Sequence, residues 1–134
     1  MAVVLISGCS RGIGHHAALA LARRGWTVIG TLRGEEGRAE LEAAGVQTTR
    51  LDVCDEAGAR RVVAEVLARH GGLDAVVANA GQGLFGCFED LDSDEIRALF
   101  EINLFGAMHL VRAALPGLRT RRGRVVLISS VAGR

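Results

Sequence analysis

The chain has 134 residues, a formal net charge of +1, 49% apolar and 23% charged residues, the make-up of a globular domain and not of a coiled coil or a disordered tail. All 16 basic side chains are arginine, and there is no lysine and no tyrosine. A phosphate-loop lysine, a Schiff-base lysine and a tyrosine acid/base are therefore excluded within these residues.

Near-neutral charge with scattered arginines leaves no electrostatic footprint for nucleic acid, and the densest run, Arg119 to Arg124, is expected to be a solvated loop. Cys9, Cys54 and Cys87 are odd in number and form no CxxC, so neither a disulfide framework nor a zinc site is expected, and a reducing cytoplasm fits best. His15, His16, His70 and His109 have no carboxylate or cysteine partner at ligand spacing, so no metal site is expected. The opening Met1 to Gly8 is apolar but lacks a basic n-region, and no apolar run approaches ~20 residues, so neither an export signal nor a membrane span is expected.

Short β-branched runs alternate with helical patterns from end to end, the mark of βαβ units and a parallel sheet. Strands are predicted at Val3 to Ser7, Thr27 to Leu32, Val46 to Leu51, Ala75 to Ala78 and Arg124 to Ser129, each nearly continuously apolar, as helix-covered strands are. Ile13, Ala17 and Leu21, then Val62, Val63, Val66 and Leu67, recur at helical spacing, and Glu36 to Ala44 forms a shorter helix. The longest helix should start at Asp92 or Ser93, either of which can cap it, and end at Pro116. Ile96, Leu99, Phe100, Ala107, Leu110, Val111 and Ala114 share its inner face, with Asn103 among them. That pattern predicts a buried amide which must be hydrogen-bonded, since an unpaired one costs ~1–3 kcal/mol.

The expected fold is α/β, a Rossmann-type doubly wound parallel sheet truncated after the fifth strand. Residues 1–134 would form one dinucleotide-binding domain, incomplete at its carboxyl end, because no helix follows strand five to cover it. The expectation is of an amino-terminal portion of a longer protein.

Strand one runs into Ser7-Gly8-Cys9-Ser10-Arg11-Gly12-Ile13-Gly14 and then directly into a helix. Gly8 lets the chain turn off the strand, Gly12 lets backbone approach a pyrophosphate, and Gly14 allows close helix packing. The helix amino terminus then offers the phosphates free N–H groups and a positive dipole. A bland glycine-rich turn is the alternative from this segment alone, since the spacing is GxxxGxG and not GxGxxG.

Strand two ends at Leu32-Arg33, where an acidic residue would bond the adenosine ribose of NAD. Arg33, with Arg11 in the turn, instead offers two guanidinium groups to a 2′-phosphate, which favours NADP over NAD. Ligand-free surface arginine is the other reading of both, and Glu35 and Glu36 could still reach a ribose. Cys9 lies at the turn, where a helix amino terminus could lower its thiol pKa, though a small tolerated residue is the plainer account.

Taken together, these segments resemble the amino-terminal half of the short-chain dehydrogenase/reductase family, over essentially all 134 residues. The glycine turn resembles the family's TGxxxGIG, with serine for threonine. Leu51-Asp52-Val53 resembles the segment whose aspartate contacts the adenine, and Ala78-Asn79-Ala80-Gly81 resembles NNAG, with alanine for the first asparagine. Ile102-Asn103-Leu104-Phe105-Gly106 resembles the long-helix segment whose asparagine binds a water of the proton relay. Val126 to Gly133 resembles the strand-five motif, and by register Ser130 matches its catalytic serine. The wording from Asn79 to Gly86 is similar to hydroxysteroid and retinol dehydrogenase-like members.

The resemblance implies hydride transfer between NADP, or less favoured NAD, and a carbonyl or secondary alcohol of a small apolar molecule. It implies Ser130 and Asn103 as catalytic residues. It implies Gly8, Ser10, Arg11, Gly12, Ile13, Gly14, Arg33, Leu51, Asp52, Val53, Asn79, Ala80 and Gly81 around the cofactor, with a possible homo-oligomer. The family's tyrosine and lysine, spaced YxxxK, would fall beyond Arg134, so the isolated chain is expected to be inactive. From the residues alone, Asp52 could merely cap the next helix, Ser130 merely satisfy a strand end, and Asn103 merely bridge structure. Leu84, Phe85 and Phe88 either line a substrate mouth or pack a loop. A non-catalytic NADP-binding or sensor module, and a structural assembly through the surface near strand five, are the alternatives to an enzyme.

Overall fold

The computed structural model describes residues 1–133. Five strands, β1 (Val3–Ile6), β2 (Thr27–Leu32), β3 (Gln47–Arg50), β4 (Ala75–Ala78) and β5 (Arg124–Leu127), pair in parallel in the order β3-β2-β1-β4-β5. The helices are α1 (Gly12–Arg23), α2 (Arg38–Ala43), α3 (Glu56–His70), α4 (Ser93–Phe100) and α5 (Gly106–Arg121), with a π turn over Glu101–Phe105 joining the last two. This is the doubly wound α/β arrangement of a Rossmann-type fold. The winding reverses between β1 and β4, so a crevice opens beyond the carboxyl ends of those two strands.

Successive residues of β1 point to opposite faces and feed two separate cores. Val3 and Leu5 join Ile29 and Val76 beneath α3 and α5, against Val62, Val66, Leu110, Ala114 and Leu118. Val4 and Ile6 join Val28 and Leu32 beneath α1 and α2, against Ala18, Leu19 and Leu41. Full burial of a leucine such as Leu5 contributes about 1.5–3 kcal/mol, so β1 is anchored from both sides and the turn after it starts from a fixed point.

Several expectations are corrected. The α1 stripe is rotated by about one residue: Gly14, His15, Ala18 and Leu19 are buried, while Ile13 is 65% exposed beside the glycine turn. Strand β3 is Gln-Thr-Thr-Arg, two residues shorter than predicted and not apolar, because it is the sheet's edge and only half covered. Strand β5 stops at Leu127, two residues short of the predicted end, and its residues are exposed, no α-helix following it among the described residues.

Asp92 caps α4 through a capping box with Glu95, as the sequence allows. Pro116 does not end the long helix. It gives up one backbone bond, yet Leu118 beyond it is buried and the Gly117 carbonyl accepts from Leu73 N–H at 3.3 Å, which holds the following turn in place. The helix ends at Arg122, whose φ is 52°, followed by Gly123. The arginine run is consequently helical over Arg119 and Arg121. Arg121 bonds the Asp74 carboxylate at 3.0 Å instead of lying in a solvated loop.

Ser93–Arg121 forms one 29-residue helix, by length and composition long and apolar enough to cross a membrane. Asp94, Glu95, Arg97, Glu101 and Arg112 interrupt it, so it contains no long continuous apolar run. Its second half packs on the sheet as the crossover between β4 and β5, burying Gly106, Leu110, Ala114, Gly117 and Leu118.

Candidate functional site

The crevice between β1 and β4 is closed by a clasp built from four hydrogen bonds. Ser7 Oγ accepts from the backbone N–H of Asn79 and of Ala80, both at 3.0 Å. Asn79 Nδ2 donates to the carbonyls of Ser7 and Gly8, also at 3.0 Å. The turn after β1 and the segment after β4 are thereby one rigid unit. Ser7 was passed over as a site residue; an isolated hydroxyl at the end of the run Val-Val-Leu-Ile was the available signal.

The glycines of the turn have different reasons. Gly8 has a φ of 70°, and a Cβ there would stand 2.7 Å from Ala80 Cα. Gly14 lies against the Asn79 amide and the Gly8 carbonyl, leaving no room for a side chain. Gly12, with φ of 64°, faces open space instead. Arg11 is the N-cap of α1 and makes no side-chain cap bond, so the first-turn N–H donors of the helix point outward without a side-chain acceptor. Ser10 is half-buried, Arg11 and Ile13 are exposed around this opening, and Cys9 N–H donates to the Thr31 carbonyl at 2.9 Å, tying the turn to β2. Donors, open space and a helix amino terminus in one place fit a pyrophosphate.

Burial pushes the Cys9 thiol up to about 12, and its Sγ donates to the Ile6 carbonyl at 3.3 Å. Burial thus acts against a lowered thiol pKa at this helix terminus, and it exceeds the opposing effect of the Thr31 backbone hydrogen bond.

Arg33 emerges exposed at the end of β2, close enough to Cys54 for its charge to act on that thiol. Burial first, and then the neighbouring Asp52 carboxylate, push the Cys54 thiol above its ordinary value. Asp52 itself is exposed and accepts from the Cys54 N–H at 3.0 Å in a local turn; it does not cap the next helix, whose N-cap is Asp55. Arg50, Leu51, Asp52, Asp55 and Arg61 line a cleft of about 280 Å³ there. Leu51 and Val53 are buried, and Val53 packs so tightly on Gly106 that a Cβ at 106 would lie 2.6 Å from its methyl. His109 Nδ1 lies 3.1 Å from the Val53 carbonyl, which joins α5 to the same segment.

Asn103 is not buried. It sits in the π turn, whose Ile102 packs against the core while Asn103 lies beside the loop after β4; Phe100, at the end of α4, is exposed as well. Its amide is nevertheless paired at both ends: Oδ1 accepts from Gln82 N–H at 2.9 Å and Nδ2 donates to the Gln82 carbonyl at 2.8 Å. Gly81 lies beside it, its missing Cβ 3.1 Å from Asn103 Oδ1. Ser130 is exposed beyond β5, and its Oγ accepts from Ala132 N–H at 3.2 Å. Phe85 and Phe88 are exposed in the loop after β4 and pack no core, which leaves that loop's apolar surface open. Among the described residues, no three His, Cys, Asp or Glu side chains are grouped to hold a metal.

The family model for short chain dehydrogenase matches residues 2–134. Human retinol dehydrogenase 8 is 39% identical over 97% of this chain and 44% of its own length. Human 17-beta-hydroxysteroid dehydrogenase type 1 is 38% identical over 98% of this chain and 43% of its own. The crystal structure of a short-chain dehydrogenase from Streptomyces avermitilis superposes with a TM-score of 0.91 at 44% identity, over 96% of this chain and 49% of that one. An alcohol dehydrogenase from Thermococcus sibiricus, complexed with 5-hydroxy-NADP, gives 0.87 at 34% identity, over 95% and 57%. The chain thus spans about half the length of the relatives it matches. By the match along its whole length and by its fold, it belongs to the short-chain dehydrogenase family.

Proposed function

We propose that this chain is the cofactor-binding part of an NADP-preferring oxidoreductase acting on a carbonyl or secondary alcohol of a small apolar molecule. The observation that carries the reading is the uncapped start of α1 behind a glycine turn that the Ser7–Asn79 clasp holds rigid. Gly8, Ser10, Arg11, Gly12, Ile13 and Gly14 would face the pyrophosphate, with Arg11 and Arg33 taking the 2′-phosphate. Leu51, Asp52 and Val53 would border the adenine, and Asn79, Ala80 and Gly81 the nicotinamide ribose. When bound, the nicotinamide supplies or accepts the hydride at the substrate carbon.

Ser130 would orient the substrate oxygen by hydrogen bonding. Asn103, with both ends of its amide engaged by Gln82, would act by fixing the loop after β4 against the helix. The chain contains no tyrosine or lysine, so a Tyr–Lys proton donor of the kind the family uses would come from outside these residues. The apolar loop bearing Phe85 and Phe88 supports an apolar substrate, in keeping with relatives named for retinol and steroids.

A second reading, a nucleotide-binding module without turnover, rests on the glycine turn and its clasp alone, which would hold a dinucleotide whether or not hydride is transferred. A reduction assay with the full-length protein, NADPH and an apolar ketone separates the two. Turnover that falls at least about 100-fold in Ser130→Ala supports the enzyme. NADP binding without turnover supports the module.

A further inference from the structure

We propose that His15 is a positioning residue for the adenosine-phosphate end of the site, bracing the glycine turn against the segment between β2 and α2 and so setting the preference for a 2′-phosphate. The inference deepens the proposed function and rests on it. His15 lies in the first turn of α1 and is buried among Cys9, Gly37 and the start of α2. Its Nδ1 is 3.0 Å from the Cys9 carbonyl oxygen, in the turn. Its Nε2 is 3.0 Å from Glu40 Oε2, in α2. An apolar side chain would fill this position at a lower desolvation cost, so the two bonds are what the histidine adds.

Gly37 supplies the second observation. Its φ is 75°, and a Cβ there would collide with the Ser10 carbonyl and stand 3.1 Å from His15 Nδ1. The chain therefore returns from β2 to lie directly on the turn, with the imidazole at the join. Residues 33–36 are tethered to the turn at both ends, by the Cys9-to-Thr31 backbone bond before them and by Gly37, His15 and Glu40 after them. Arg33 is in that tethered span, so the brace governs where its guanidinium stands relative to Ser10 and Arg11.

Both partners of the ring are acceptors, a carbonyl and a carboxylate. A neutral imidazole has one N–H and can satisfy one of them; the imidazolium satisfies both. The titratable and charged groups facing the ring are Glu40 from α2 and, on its own helix, His16, whose ring centroid is 5.8 Å away. The Cys9 thiol of the turn stays protonated throughout the relevant range. Whichever nitrogen donates, the ring stands within hydrogen-bonding distance of both the turn and α2, which makes it the brace between them.

The test uses the full-length protein and measures NADP and NAD dissociation constants by calorimetry from about pH 5.5 to about pH 8.5. Wild type is compared with His15→Leu, His15→Gln and Glu40→Gln. The 2′-phosphate titrates alike in all four, so each variant is read as a quotient against wild type. His15→Leu is expected to lower the preference for NADP over NAD about five- to tenfold. His15→Gln, which retains a donor, should recover part of the preference, and Glu40→Gln, which takes the charge out of the brace, should lower it part of the way. An unchanged NADP preference in folded His15→Leu, or in Glu40→Gln should the leucine variant not fold, overturns the inference while leaving the cofactor site standing. Failure of wild type to bind either nucleotide overturns both.

Discussion

Asn79 reaches across from the end of β4 to donate to the carbonyls of Ser7 and Gly8, each at 3.0 Å, while Ser7 Oγ accepts from the Asn79 backbone in return. The reciprocity makes the crevice between β1 and β4 a fixed shape and not a gap between two loops. Asn79→Ala removes the donor to both carbonyls and is expected to lower stability by about 1–3 kcal/mol, measured by urea unfolding. Asn79→Asp, which sets a carboxylate against two carbonyl oxygens, should be worse than alanine. Equal stability of all three proteins would contradict the clasp.

Gly14 and Gly12 give opposite expectations from the same substitution. Gly14→Ala drives a methyl into the Asn79 amide and the Gly8 carbonyl, and should destabilise by about 1–3 kcal/mol. Gly12→Ala meets open space, so it should lose no more than about 1 kcal/mol through its positive φ, yet weaken dinucleotide binding strongly. Thermal unfolding with and without NADP separates the two effects.

Asp74 links the chain's start to its last strand crossover. Its Oδ2 accepts from Val3 N–H at 2.7 Å and from Arg121 at 3.0 Å, and those bonds hold its carboxyl below the usual range. A carboxylate depressed in the folded state adds stability above its unfolded pKa, about 3.9, and that stability is lost as pH falls through the lower folded value. Asp74→Asn should therefore lower stability at neutral pH and lose less of what remains below about pH 4. Parallel acid-unfolding curves for the two proteins would contradict this.

Pro116 lies inside α5 and costs one helical bond to the carbonyl of Arg112. Pro116→Ala restores a donor there and is expected to stabilise by about 1 kcal/mol, the gain being reduced by a freer unfolded chain. A fall in melting temperature would show that the proline is accommodated without strain.

What the sequence made legible was the order of elements, because β1, β2 and β4 are apolar runs and the glycine turn sits between a strand and a helix. The edges were not legible. Strand β3 shows only Gln-Thr-Thr-Arg, since an edge strand needs no apolar run, and Pro116 misled because tertiary packing of Leu118 outweighs a lost bond. Asn103 lay on the predicted inner face, but its partner is the Gln82 backbone of a loop 21 residues away, which helical spacing cannot reveal. His15 was set aside for want of a partner nearby in the chain; Glu40, its partner, is 25 residues on.

The central claim is that the turn following β1 holds a dinucleotide carrying a 2′-phosphate. Calorimetric titration of the full-length protein with NADP and with NAD, in wild type and in Arg33→Ala, tests it most directly. The account predicts saturable binding, NADP tighter than NAD by at least about tenfold, and a difference that narrows when Arg33 is removed. Tighter binding of NAD, or no effect of Arg33→Ala on the difference, would contradict it.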